Sequence, residues 1–310
     1  MEPEPTDRPW GGILAGLAAA VLWLLLARYL LPLGAKVAPV ALQKAISWST
    51  FRALGQVAVL LLGLGGWALL APGGARRLLG LPPSGRSLMS TALASPLVWT
   101  SSALIALAVA LPTLMEELRT RGPGASRQNA GAFAAELTDS SLLAALLTGV
   151  VLAAVSEELL FRGAVWSALD ALLARTPGAP VVHEELGPST SQRVQAWLVR
   201  GWGATLGSGL LFGLMHADMP GGVGIVRVVS TTCLGLAAGA VRTLSGSLAA
   251  AVLLHLLHNT FSLGVSRRWF LGLGPVVYGV PALLLLGAVL GGCGLGALAW
   301  LARRRAAAPE

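Results

Sequence analysis

Between Leu142 and Val155 the chain uses only Leu, Ala, Val and Gly with a single Thr. It then sets Glu157, Glu158 and Arg162 into the same stretch before apolar Ala164 to Leu173 carries it on. A run of this kind reads as the greater part of a membrane-spanning helix. Three ionised groups therefore arrive at membrane depth, where a charge without a partner is costly and marks function by default. Successive helical residues turn by about 100°, so Glu158 and Arg162, four apart, share a face and are set to pair. Glu157 faces about a quarter turn away and is left free to act. The plainer reading, three side chains snorkelling at a helix end, sits badly with the apolar residues that follow.

The rest of the chain supports a bilayer setting. Of its 310 residues 55% are hydrophobic and 12% charged, with a mean hydropathy of +0.73, which is too apolar for a soluble domain. The expected fold is an all-α polytopic membrane bundle of about eight transmembrane helices. The candidate spans are residues 11–31, 53–71, 91–111, 142–166 with an extension to Leu173, 204–215, 222–241, 247–261 and 276–301. Breaker clusters such as Pro72-Gly73-Gly74, Pro82-Pro83-Ser84-Gly85 and Pro220-Gly221-Gly222 separate them. Asp139, Ser140 and Ser141 offer N-caps for the helix that carries the glutamates. The acidic, Pro-containing Met1 to Arg8 is the wrong lead-in for a signal peptide, so the first apolar run is expected to be a retained helix. Three regions follow: residues 1–141 as N-terminal helices and loops, 142–264 as a core that carries the charged motif, and 265–310 as a final helix with a basic tail.

A net charge of +8 raises the thought of nucleic acid, but the arginines lie in short loops between apolar runs, where they anchor topology to anionic headgroups. The expected partners are membrane lipids and no nucleic acid. Loop charge on the two sides is nearly balanced. Arg303-Arg304-Arg305 at the end of the last helix favours a cytoplasmic C-terminus in the inner membrane. Cys233 and Cys293 have no metal or CxxC spacing and read as core or lipid-facing residues. Ser191 to Trp202 alternates Trp and Leu with Arg at helical spacing, which suits either an interfacial helix or a connecting loop. Gly209/Gly213, Gly235/Gly239, Gly287/Gly291 and Gly292/Gly296 are GxxxG pairs that fit close packing within one bundle.

Three of the four histidines lie in membrane segments: His216 ends the short fifth span, and His255 and His258 sit inside the seventh, with only His183 in a loop. His255 and Asn259, four apart, put two polar groups on one helical face in hydrocarbon. His258 is a flanking residue. Each histidine singly reads as a satisfied buried ring; together with the glutamates they are parts for hydrolysis. A carboxylate can take a proton from water, a histidine can hold that water, and imidazole and amide N–H groups can stabilise an oxyanion. The same set suits a zinc ion, whose bound water is a nucleophile near neutral pH. The residues leave both mechanisms open. Ser156 lacks a base on its own face and reads as an ordinary helix residue.

Glu157-Glu158-x-x-x-Arg162, Phe212-x-x-x-His216 and His255-x-x-x-Asn259, in that order and each within an apolar helix, resemble the three motifs of the CPBP intramembrane proteases. That family is also called the CAAX protease or abortive-infection family and includes the Ras-converting endopeptidase. The resemblance covers roughly residues 142–264. It implies Glu157 as the carboxylate activating water with His216, and His255 with Asn259 as the oxyanion site. Glu158 and Arg162 would be supporting residues and Phe212 a packing neighbour. A metal, if used, would fall to Glu157, His216 and His255. The polar stretch between the first two motifs is longer than the family's pattern. The expected activity is intramembrane cleavage of a hydrophobic or lipidated protein or peptide. A non-catalytic immunity or scaffold protein, or a proton-coupled transporter, is the alternative. Other intramembrane proteases fit worse: His183-Glu184-Glu185-Leu186-Gly187 lacks the second histidine of HExxH, and no GxSG or GxGD motif occurs.

Overall fold

The computed structural model describes residues 95–113, 141–173, 190–217, 221–267 and 280–306, with a few single positions besides. The expected spans 11–31 and 53–71, save for single positions, and His183 lie outside the described residues. Every described element is helical: α1 (Ser95–Thr113), α2 (Leu142–Leu173), α3 (Thr190–Leu214), α4 (Gly221–Ser245), α5 (Leu248–Ser266) and α6 (Val280–Ala306). Among the described residues α1, α2 and Gly224–Ser245 of α4 are long and apolar enough to cross a membrane. Shorter apolar helices run over Leu248–Gly264 and Leu284–Trp300.

α2 has 32 residues and is therefore about 48 Å long, well beyond a hydrocarbon core of about 30 Å. It starts where Ser141, with extended backbone, accepts the Ala144 N–H on its hydroxyl at 3.1 Å, the N-cap expected of this residue type. Two π-helical stretches interrupt it, Leu146–Leu152 and Leu159–Val165. Glu157 and Glu158 lie between these two, at the midpoint of the rod.

The sequence divides residues 191–215 into an amphipathic or looped segment and a short span. The structure joins them as one helix of 25 residues. Gly201 and Gly203 are packing positions in it. A Cβ at Gly201 would come within 2.7 Å of the Thr243 methyl, and one at Gly203 within 2.6 Å of a Leu173 methyl. The same logic holds along the α3–α4 contact. Gly209 lies against the backbone of Leu236, Gly213 against Thr232, Gly235 against Gly209, and Gly239 against Thr205. Two of the GxxxG pairs thus let the backbones of α3 and α4 approach closely. A buried polar ladder stitches the same seam: Thr205 Oγ1 and Thr243 Oγ1 lie 2.8 Å apart, and Thr243 Oγ1 donates to Gly201 O at 3.2 Å.

α4 turns into α5 within two residues. Gly246 takes a left-handed backbone (φ 68°) and its N–H returns to Arg242 O at 2.9 Å, the helix-ending geometry glycine adopts without strain. α1 packs on α6 through the third glycine pair: Ser101 Oγ donates to Gly287 O at 2.6 Å, and Gly291 lies against Ser101. Gly292 and Gly296 meet open space instead. Cys293 is exposed and Cys233 half-buried, both as free thiols. The core runs from Leu160, Phe161 and Val165 of α2 through Phe212, Leu234, Val241 and Leu254 to Leu298 of α6.

Candidate active site

The site grows from a buried charge knot. Glu158 Oε1 accepts from Arg162 Nη1 at 3.0 Å, one turn on, and from His255 Nδ1 of α5 at 2.8 Å. Glu158 and Arg162 are fully buried and His255 is 2% exposed. The second Arg162 amine donates to Gly235 O of α4 at 2.8 Å, which is possible because Gly235 carries no side chain. A Cβ there would lie 3.1 Å from that amine and 2.9 Å from Gly209 O. The guanidinium lies 4.6 Å from the centroid of the Phe212 ring, a cation–π contact that needs no lone pair. Burying both charges is costly, and the pair is held by these three bonds while Glu158 Oε2 and Arg162 Nε stay buried without hydrogen-bond partners. Removal of one partner typically costs about 3–5 kcal/mol.

Phe212 sets the histidines. Fully buried, it stands edge-on to Phe161 at 5.0 Å and to His255 at 5.6 Å, and its centroid is 4.7 Å from that of His216. Beside the knot is a more open half. Glu157 keeps 14% of its side chain exposed, and its Oε2 lies 3.9 Å from His216 Nε2 and 3.8 Å from His255 Nε2. Both distances are too long for a direct hydrogen bond.

The other nitrogen of each ring fixes its tautomer. His216 Nδ1 is 2.8 Å from Phe212 O, and a carbonyl only accepts, so Nδ1 carries the hydrogen. His255 Nδ1 faces a carboxylate already paired with Arg162, so it too donates. In the neutral rings both Nε2 atoms are then lone pairs, and both face one carboxylate oxygen. Three acceptors around a gap of this width are the setting in which a bridging water belongs.

Asn259 of α5 donates from Nδ2 to Gly149 O at 3.1 Å. That carbonyl is available because α2 is π-helical there. The Ala153 N–H reaches Thr148 O and Val150 O, passing over Gly149 O, which an ordinary α-helix would engage. Ser156 returns its hydroxyl to Leu152 O at 2.7 Å, a bond to its own helix.

Thus Glu157, Glu158, Arg162, Phe212, His216 and His255 come together from α2, α5 and the end of α3, and the Glu158–Arg162 ion pair forms as the spacing requires. Asn259 meets α2 one helical segment away, at Gly149. Among the described residues no group of three or more His, Cys, Asp or Glu is arranged to hold a metal ion. Sequence reasoning missed Gly235, Gly149 and Trp99. Trp99 of α1 donates its indole N–H to His258 Nδ1 at 3.2 Å. A lone Trp in an apolar run, whose N–H must find a partner when buried, was the available signal.

Compared with known proteins, residues 139–261 match the family model for Rce1-like proteins, the type II CAAX prenyl endopeptidases. No curated protein and no solved structure matches the chain.

Proposed function

With residues 139–261 an Rce1-like domain of the CPBP/CAAX protease family, we propose that Glu157 and His216 hold and deprotonate a water that cleaves a peptide bond within the membrane. The observation that carries this reading is the placement of Glu157 Oε2 between two imidazole Nε2 atoms at 3.8 and 3.9 Å. A water in that gap donates one hydrogen to an imidazole and gives the other to Glu157. Its oxygen adds to the amide carbon, the C–N bond then breaks, and the proton taken by Glu157 passes to the leaving nitrogen.

The oxyanion needs donors. The proton that Glu157 takes from the water is shared with His255 Nε2, 3.8 Å away, so that Nε2 donates to the oxyanion before the proton returns through Glu157 to the leaving nitrogen, while Glu158 on Nδ1 stabilises the charged ring. One amide hydrogen of Asn259 is committed to Gly149 O, and the other serves the oxyanion. The substrate class is a hydrophobic or lipidated tail delivered from the bilayer, and the C-terminus faces the cytoplasm.

The test uses the full-length chain in lipid nanodiscs with prenylated and unprenylated forms of one peptide. Wild type is expected to release a C-terminal fragment, and Glu157→Gln, nearly isosteric, to lose turnover by about 10²–10⁴-fold. Equal cleavage by the two proteins would overturn the mechanism. Equal use of both peptides would remove the lipid from the substrate description.

A further inference from the structure

We infer that Trp99, on a helix outside the family-matched segment, is a positioning residue of this site: it fixes His258 in one tautomer beside His255. The inference rests on the proteolysis reading for its consequence but not for its geometry. The indole N–H only donates. At 3.2 Å from His258 Nδ1 it makes that nitrogen the acceptor, so the hydrogen of the neutral ring sits on Nε2. This is the reverse of His216 and His255, whose Nδ1 atoms donate to Phe212 O and Glu158.

The reversal matters because of what surrounds it. The His258 ring lies 6.5 Å from that of His255 in an edge-to-face arrangement. With Nδ1 occupied, the neutral His258 ring carries its hydrogen on Nε2 and holds one fixed dipole against the edge of the His255 ring that bonds Glu158. The same indole stands edge-on to Phe261, centroids 5.2 Å apart, so Trp99 grips α5 at two points one turn apart, on either side of Asn259. Trp99 is itself anchored. Its neighbour Val98 is buried in the core with Leu298 and meets Gly294 of α6, and Ser101 is bonded to Gly287 O. A fixed α1 thus sets the orientation of the ring next to the reacting groups.

Trp99→Phe keeps an aromatic ring against Phe261 and removes only the N–H. In the full-length protein labelled with ¹⁵N-histidine, with His258 assigned by comparison with His258→Gln, wild type is expected to show His258 as a single Nε2–H tautomer. Trp99→Phe is expected to show a tautomer mixture, with kcat lowered by about 3- to 10-fold, the effect of one neutral hydrogen bond, and KM within about twofold. Trp99→Ala separates packing from hydrogen bonding, because it should lower the melting temperature where Trp99→Phe does not. An unchanged His258 spectrum in Trp99→Phe overturns the inference. So does a mixture with wild-type kcat, since the tautomer would then not matter to turnover. A wild-type chain that cleaves nothing overturns the proteolysis reading, and the nitrogen spectra still decide whether Trp99 holds His258.

Discussion

Glu157 and Glu158 are neighbours on one helix and have opposite surroundings. Glu158 is sealed, with one oxygen taking bonds from Arg162 and His255. Glu157 is partly open, with no direct bond to the two imidazoles that face it. The difference teaches that an intramembrane carboxylate can be committed to architecture or held in reserve for chemistry, and that a rotation of one residue, about 100°, decides which. A sealed carboxylate should govern stability; an open one should govern rate.

The sharpest break of that comparison is Glu157→Gln. Turnover is expected to fall by about 10²–10⁴-fold while the melting temperature stays within a degree or two of wild type, read by peptide cleavage and by thermal unfolding in nanodiscs. Next comes Arg162→Met, which leaves Glu158 as a buried unpaired charge. It should destabilise the bundle by about 3–5 kcal/mol, measured as a shifted denaturation midpoint. The double change Glu158→Leu with Arg162→Met sharpens the point, because removing both charges should recover most of that loss; a double variant as unstable as the single one would show that the knot is worth more than its own repair. Gly235→Ala presses on the knot without touching its charges. With its Cβ only 2.9 Å from Gly209 O, overpacking of about 1–3 kcal/mol is expected. The smallest effect is set by Ser141→Ala at the start of the same helix, about 1 kcal/mol from the lost cap and no change in kcat, a baseline for changes that reach neither carboxylate.

What the sequence revealed and what it hid follow one physical line. The Glu158–Arg162 pair, the N-cap at Ser141 and the joint face of His255 and Asn259 are local, and helical periodicity alone places them. The three-motif resemblance also pointed to the family that residues 139–261 match. Contacts between helices were hidden. Nothing in the spacing says that Gly235 offers its carbonyl to Arg162, or that Trp99, 159 residues from His258, reaches its ring. The π-helical stretches were hidden too, since they depend on what packs against α2 rather than on its own side chains. The join of residues 191–202 to the following span was hidden for a related reason: it depends on Thr243 and Leu173 packing at Gly201 and Gly203, which local spacing does not report.

The bond pattern at Glu158 has a mechanical corollary. Through this one residue and its arginine, α2, α4 and α5 are riveted near their middles, and a rivet resists sliding far better than swivelling. A bulky chain coming in from lipid would therefore part the rods at their ends, like opening scissors, while the crossing point stays put. Spin labels at the unlinked tips, the Gly221 end of α4 and the Ser266 end of α5, should spread when a peptide docks, and labels flanking Gly235 and His255 should keep their spacing.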